Sequence, residues 1–163
     1  MSKALSSSKR LLLAICILFP PPVFAQWASD TKLSVHAMNA SLNEDMGQCI
    51  AANGDTIHIV WLDRRSHGAA VYYKRSVDTG LTWNTEIPLT DTNGKASFPT
   101  IAVSGNTVHI AWLDSVFGKP ASMYKRSLDG GNTWGPNICL DSNTLFWPGI
   151  AAHDSLVTLF DRK

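Results

Sequence analysis

An eight-residue segment occurs twice in this chain, starting at residues 76 and 127, 51 positions apart. Ser76–Trp83 reads SVDTGLTW and Ser127–Trp134 reads SLDGGNTW, so both copies follow the pattern S-x-D-x-G-x-T-W. The repeat is longer than this segment, because residues 54–89 and 105–140 align without a gap and are identical at about half of their positions. A period of about 50 residues, in units rich in short strands, is typical of radial or stacked β structure.

Each repeat unit carries the sequence signals of four short strands. Residues 56–62 are apolar or β-branched at nearly every position, which predicts a strand that is covered on both faces. The turns between the strands are rich in Gly and Asp. The full set of further strands that we predict is 50–52, 71–75 and 83–89 in the first unit and 101–103, 123–126 and 134–140 in the second.

The S-x-D-x-G-x-T-W segment falls between the third and fourth predicted strands, where its residues suit a tight turn. A short Asp side chain can accept hydrogen bonds from backbone N–H groups two or more residues on, and Gly can adopt positive φ. Ser and Thr hydroxyls satisfy further turn groups, while Trp buries its ring. We therefore expect a structural role for Ser76, Asp78, Gly80, Thr82, Trp83, Ser127, Asp129, Gly131, Thr133 and Trp134.

These two segments resemble the Asp-box, or bacterial neuraminidase repeat, of sialidases and other secreted propellers. The resemblance implies an all-β fold, a β-propeller of four-stranded antiparallel blades. It is less specific for activity, since Asp-boxes of cell-wall glycosidases and sorting receptors lie away from the substrate.

The first 25 residues have the features of a secretory signal. A basic start with Lys3, Lys9 and Arg10 precedes an apolar run, and small residues end at Ala25. The apolar run is shorter than the roughly 20 residues that a membrane span needs. We expect cleavage after Ala25 and a secreted or periplasmic protein.

The repeat also sets expectations for the two ends of residues 26–163. Trp27 and Leu33 match the fourth strand of the later units, which predicts a leading outer strand over 26–34. Blade units are expected at about 47–90 and 98–140, with half of a third blade at 147–163. Because propellers usually need about 4 to 8 blades, we interpret the chain as an N-terminal fragment of a longer propeller. Self-association of short chains into a ring is the alternative.

The net charge restricts the class of partner, and the cysteines leave two structural roles open. Removal of three cations with the signal leaves 11 Lys and Arg against 13 Asp and Glu, which gives no electrostatic reason to expect nucleic acid or an anionic membrane. Cys49 and Cys139 stand at different places in the repeat. They can form a disulfide in an oxidising compartment or serve as small buried residues.

Sialidases, which the chain resembles, use an Arg triad, a Tyr nucleophile paired with Glu, and an Asp acid/base. The Arg-Ile-Pro motif is missing here, and Glu44 and Glu86 have no evident Tyr partner. The best local candidate is Asp63-Arg64-Arg65, a carboxylate beside two guanidinium groups at a strand end, within which Asp63 and Arg64 are the weak catalytic or ligand candidates. Asp63 recurs as Asp114 and Asp161, as a structural residue would, whereas Arg64 recurs only as Arg162.

No cofactor or metal is expected. His58 and His109 occupy equivalent repeat positions without further ligands at suitable spacing. The unrepeated aromatic residues Tyr72, Phe117 and Phe146 can stack on sugars or fill gaps between blades.

Two functions are compatible with these features. The first is a secreted, non-catalytic propeller module that binds glycans or cell-surface proteins through blade loops. The second is the leading part of an exo-α-sialidase that releases terminal sialic acids.

Overall fold

The computed structural model describes residues 33, 40–41, 48–65, 67–116, 118–142, 147–154 and 156–162. These residues form eleven β-strands and no helix, and all of the strand pairs are antiparallel. The predicted all-β, antiparallel class is thus confirmed. The predicted signal at 1–25 lies outside the described residues, as does the leading strand at 26–34 except for Leu33.

The first sheet is a meander around a strand that is buried over most of its length. Strand β3 pairs along one edge with β4, and β4 pairs with the short β5. The other edge of β3 pairs first with β2 and then, further along, with β1. The bounds are β1 Ala40–Ser41, β2 Ile50–Asn53, β3 Thr56–Asp63, β4 Ala70–Ser76 and β5 Ile87–Pro88.

The second sheet repeats the meander in the order β6-β7-β8-β9, and the third sheet is the pair β10-β11. The bounds are β6 Ser97–Ser104, β7 Thr107–Val116, β8 Lys119–Ser127, β9 Ile138–Ser142, β10 Trp147–His153 and β11 Leu156–Arg162. The register of β6 on β7 shifts between Ser97 and Thr100. Phe98 has φ 50° at this bulge, and Pro99 has no N–H to donate to the ladder.

The sheets pack face to face because their central strands are apolar on both faces. Val60 and Leu62 of β3 share the largest buried cluster with Ile110 and Trp112 of β7. The opposite face of the second sheet joins Ala111 to the third sheet through Ile150 and its apolar neighbours. The opposite face of the first sheet carries Trp61, Ala70 and Tyr72. Burial on both faces of β3, predicted from its sequence, is thus confirmed.

The fourth strands are shorter than the sequence predicts. β5 begins at Ile87 and β9 at Ile138, so Trp83 and Trp134 lie in the turns and not in strands. The reason is local: Trp83 donates its indole N–H to Gly80 O at 3.1 Å, within the turn itself. Pro88 further limits β5, since it has no N–H for the ladder.

Cys49 and Cys139 occupy different environments and are not bonded to each other. The buried Cys49 thiol contacts Pro99 O at 3.6 Å, whereas Cys139 is exposed. In the part of the chain that the structure describes, no helix has the length and apolarity to cross a membrane.

Candidate functional site

Asp63 is the last residue of β3, and its side chain is fully buried. Its carboxylate accepts hydrogen bonds from the backbone N–H of Arg65 at 2.8 Å and from Arg65 Nη2 at 2.5 Å. Burial alone would raise the pKa of Asp63, but the hydrogen bonds and the charge of Arg65 outweigh it and hold the pKa below its usual value. Asp63 is therefore an ionised anchor and not a proton donor at neutral pH.

Arg65 connects this carboxylate to a second one. It forms ion pairs with Asp63 and Glu86, which stands just before β5. Its guanidinium carbon also lies 4.1 Å from the centroid of the Tyr72 ring, which is buried at 6% exposure. A planar guanidinium held by two carboxylates and an aromatic face is strongly immobilised.

The cluster of Arg65, Tyr72 and Glu86 belongs to the first sheet alone. The equivalent positions, 51 residues on, hold Val116, Met123 and Asn137. The Asp–Trp contact does repeat: Trp61 Nε1 lies 3.5 Å from Asp63 Oδ2, and Trp112 Nε1 lies 3.1 Å from Asp114 Oδ2. Asp63 thus shares a structural role with Asp114, whereas Arg65, Tyr72 and Glu86 break the repeat.

Arg64 lies between the buried Asp63 and the half-buried Arg65 and is itself exposed. Within the described residues it has no hydrogen-bond or ion-pair partner. The loop after it is anchored, because Ala69 N donates to Gly94 O at 2.9 Å and Ala96 N donates to Ala69 O at 3.0 Å. A Cβ on Gly68 would lie 2.4 Å from the carbonyl carbon of Asn93, so the two loops touch. The Arg64 guanidinium is therefore exposed and unpaired among the described residues, and the backbone is anchored beside it at Arg65 and further along the loop at Ala69.

The two S-x-D-x-G-x-T-W turns are held by the same hydrogen bonds. Asp78 accepts from Ser76 Oγ at 2.7 Å, Thr82 N at 2.8 Å and Thr82 Oγ1 at 2.6 Å. Asp129 accepts from Ser127 and Thr133 at the same three distances. The hydrogen bonds from Ser76 and Thr82 lower the pKa of Asp78 to about 2. Both carboxylates are satisfied by their own turns, and Gly80 and Gly131 have φ of 91° and 85°.

The second turn also connects the two sheets. Arg75, at the end of β4, donates to Gly130 O and to Asn132 Oδ1. The Tyr73 ring packs edge-on against Trp134, with 4.9 Å between the ring centroids. A cavity of about 260 Å³ lies at this seam, and its lining includes His58, Arg75, Asn106 and Asp129.

The first and second sheets each carry an imidazole–phenol pair, which is buried in the first sheet and partly buried in the second. His58 Nδ1 lies 2.7 Å from Tyr73 Oη, and His109 Nδ1 lies 2.7 Å from Tyr124 Oη. Burial, with a smaller contribution from Arg75, lowers the pKa of His58 to about 4. Within the described residues, no group of three or more His, Cys, Asp or Glu side chains is placed to hold a metal ion.

Several sequence predictions bear on these sites. The structure brings Asp63 together with Arg65 and leaves Arg64 apart in solvent. Tyr72 lies beneath Arg65 in the cluster, whereas Phe117 and Phe146 lie outside the described residues. The sequence reasoning included Arg65 in the candidate segment but favoured Arg64 over it, and it did not connect Glu86 with this segment. A signal was available, because a comparison at an offset of 51 shows that both are replaced by uncharged residues.

Comparison with known proteins gives a fold likeness only. No protein-family model matches the chain, and no curated protein matches it. Among solved structures it is similar to a mutant of the Trypanosoma rangeli sialidase that displays trans-sialidase activity. The identity is 15% and the TM-score 0.42, over 65% of this chain. The chain spans 24% of the length of that structure.

Proposed function

We propose that this chain is a secreted, sialidase-like Asp-box propeller module that binds acidic glycans through Arg64. The observation that carries the proposal is the contrast between two adjacent arginines. Arg65 is fixed by Asp63, Glu86 and Tyr72, while Arg64 is exposed on the same anchored loop. A fixed loop reduces the entropy that a ligand must overcome to order its site.

The propeller assignment is supported by a contact that recurs between units. Lys125 of β8 donates to Leu89 O, just after β5 in the preceding sheet, at 2.7 Å. Lys74, its equivalent in β4, donates to Leu33 O at 3.1 Å. Leu33 belongs to the proposed leading strand at 26–34. The two equivalent lysines thus each donate to the carbonyl of a leucine, Leu33 or Leu89, and these leucines match each other in the sequence repeat, as expected of successive blades.

Binding is favoured over catalysis because the acid, base and nucleophile candidates are engaged in other contacts. The carboxylates of Asp63 and Glu86 are paired with Arg65. The phenols of Tyr73 and Tyr124 are hydrogen-bonded to imidazole rings whose pKa values are lowered by burial, which makes these rings weak bases for activating a phenol. These contacts support ligand binding, and not catalysis, as the role of the loop that carries Arg64.

The chemistry of Arg64 defines the ligand class. A guanidinium binds a carboxylate through two parallel N–H···O hydrogen bonds, which a sugar hydroxyl cannot match. The ligand should therefore be a glycan with a carboxylate, such as a terminal sialic acid or a uronic acid. A neutral glycan of the same size should bind more weakly.

Titration calorimetry with 3′-sialyllactose, and with lactose as the neutral control, tests the proposal. We expect saturable binding of the acidic sugar and at least a tenfold loss of affinity, or about 1.4 kcal/mol, in Arg64→Ala. Lys119→Ala, which removes an exposed cation at the start of β8, should bind like the parent chain. Equal affinity of parent and Arg64→Ala, or equal binding of lactose, would contradict the proposal. Release of free sialic acid by the purified chain would favour the sialidase alternative.

A further inference from the structure

The cavity at the seam between the first and second sheets is separate from the loop that carries Arg64. It is lined by Thr56, His58 and Arg75 of the first sheet and by the turn around Asp129 of the second. Thr56 begins β3, whereas Arg64 follows the last residue of that strand. With a rise of about 3.3 Å per residue, the two ends of β3 are roughly 23 Å apart. A ligand in the cavity therefore occupies a second site.

Arg75 brings a positive charge to this cavity that no ion pair offsets. The half-buried side chain donates to Gly130 O and to Asn132 Oδ1, which are both neutral acceptors. Among the described residues it forms no ion pair, and its remaining guanidinium N–H groups have no acceptor there. A partly desolvated guanidinium with spare donors favours an anionic ligand.

Asp129 contributes a carboxylate to the lining, but its oxygens are engaged within the turn. They accept hydrogen bonds from the Ser127 and Thr133 hydroxyls and from the backbone N–H groups of Asn132 and Thr133. In the part of the chain that the structure describes, Asp129 and Arg75 do not form an ion pair. The carboxylate thus holds the turn and leaves the guanidinium unneutralised.

His58 supplies a second donor. Its Nδ1 lies 2.7 Å from Tyr73 Oη, and burial raises the pKa of Tyr73 and lowers that of His58 to about 4. At neutral pH a protonated phenol therefore donates to Nδ1 of a neutral imidazole, whose own proton is on Nε2. Within the described residues Nε2 has no hydrogen-bond partner and is not fully enclosed, so its N–H is available to a ligand in the cavity.

The second-sheet side of the cavity departs from the repeat. Asn106 and Asn132 line it, at positions where the first unit has Asp55 and Leu81. An amide in place of Asp removes a charge that would repel an anion, and an amide in place of Leu adds a polar group. Both differences favour an anion at this seam.

We propose that the cavity binds a phosphate group, with Arg75, the Nε2–H of His58 and the hydroxyl of Thr56 as donors. The Thr56 hydroxyl lines the cavity and makes no hydrogen bond to the described residues. A phosphate monoester presents three strong acceptor oxygens, which suits donors that come from several side chains. The phosphate is either the free ion or a small monoester. The proposal does not depend on glycan binding by Arg64.

A ¹H–¹⁵N NMR titration of the full chain with inorganic phosphate at neutral pH tests the site. We expect saturable shifts of the His58 imidazole nitrogens. The ring of His109, its equivalent in the second sheet, is the internal control and should not shift. Sodium chloride at the same ionic strength should shift neither ring. An unshifted His58, equal shifts of both rings, or the same shifts with chloride would overturn the proposal.

Two variants test the donors. Arg75→Gln should weaken phosphate binding about tenfold or more, whereas Arg126→Gln, at the equivalent position of the second sheet, should bind like the parent. Thr56→Val keeps the β-branched shape and should weaken binding several-fold, with Thr107→Val as its matched control. Melting temperatures verify folding, since Arg75 also joins the two sheets. Parental affinity in both Arg75→Gln and Thr56→Val would overturn the proposal.

Glucose 6-phosphate, with glucose as the neutral control, distinguishes the two sources of phosphate. Tighter binding than that of inorganic phosphate assigns the site to a monoester, and equal affinity assigns it to the free ion. Binding of glucose with the same affinity as glucose 6-phosphate would contradict phosphate recognition. Arg64→Ala should leave the phosphate affinity unchanged, so failure of this site and failure of the glycan site are measured separately.

Discussion

The phenol oxygen of Tyr73 occupies the space into which any side chain at position 131 would project. A Cβ atom on Gly131 would lie 1.9 Å from that oxygen and 2.7 Å from the ring carbon that bears it. Tyr73 belongs to β4 of the first sheet and Gly131 to the turn of the second, so a backbone requirement in one repeat unit is imposed by a side chain of the other.

Gly131→Ala should therefore destabilise the protein by more than the cost of placing alanine at positive φ in a turn. We expect a loss of about 3 kcal/mol or more, from the collision together with the positive φ. Gly80→Ala is the matched control: its φ is 91°, but the nearest atom to its Cβ is Ile57 Cδ1 at 3.6 Å. It should cost only about 1 kcal/mol, the positive-φ penalty. Urea unfolding measures both, and equal losses would contradict the role assigned to Tyr73.

The turn carboxylates should stabilise the protein without any ligand. Asp78→Ala removes a carboxylate that accepts three hydrogen bonds and Asp129→Ala one that accepts four, so both should lower the melting temperature. Asp→Asn at either position should be less harmful, because one side-chain oxygen is kept. Differential scanning calorimetry of the four variants decides the matter. Melting temperatures equal to that of the parent would refute the turn-pinning account.

Stability should fall on acidification because His58 is held neutral by burial in the folded protein. The pKa of His58 is about 4 in the folded protein and about 6.5 in the unfolded chain. The unfolded chain therefore binds more protons between these values, and stability is lost as pH falls from about 6.5 to about 4. Burial lowers the pKa of His109 in the same direction.

His58→Gln keeps a hydrogen-bonding group near Tyr73 but does not titrate. Thermal unfolding at pH 7 and pH 4.5 should show a smaller drop in melting temperature for this variant than for the parent chain. An unchanged drop would mean that His58 does not control the acid sensitivity.

The two adjacent arginines should behave in opposite ways. Arg65→Ala leaves the buried carboxylate of Asp63 and that of Glu86 without their shared cation, and we expect a loss of roughly 3 kcal/mol. Arg64→Ala removes an exposed side chain and should change stability by less than about 0.5 kcal/mol. Chemical denaturation of both variants measures their free energies of unfolding. Similar losses of stability in the two variants would contradict this prediction.

The sequence predicted a strand well where both of its faces are apolar, as in β3. Prediction was weaker where a local hydrogen bond competes with the ladder: the indole of Trp83 belongs to the turn, so β5 starts four residues later than expected. Pattern alone does not reveal such a contact, because Trp favours strands in general.

The candidate site was likewise predicted only in part. The tandem Asp63-Arg64-Arg65 drew attention to the correct loop, but adjacency does not tell which guanidinium turns inward. That choice depends on Glu86 and Tyr72, which are distant in sequence and meet Arg65 only through the pairing of β4 with β5 and β3. The contacts of Arg75 with the second turn could not be predicted from a single repeat unit, because they join two units.

The most direct test of the account is a backbone amide NMR titration of the full chain with 3′-sialyllactose. The account predicts saturable shifts that centre on residues 63–69, with the Gly94 amide of the anchored neighbouring loop also affected, and their disappearance in Arg64→Ala. Shifts that centre elsewhere, or that persist in Arg64→Ala, would contradict it.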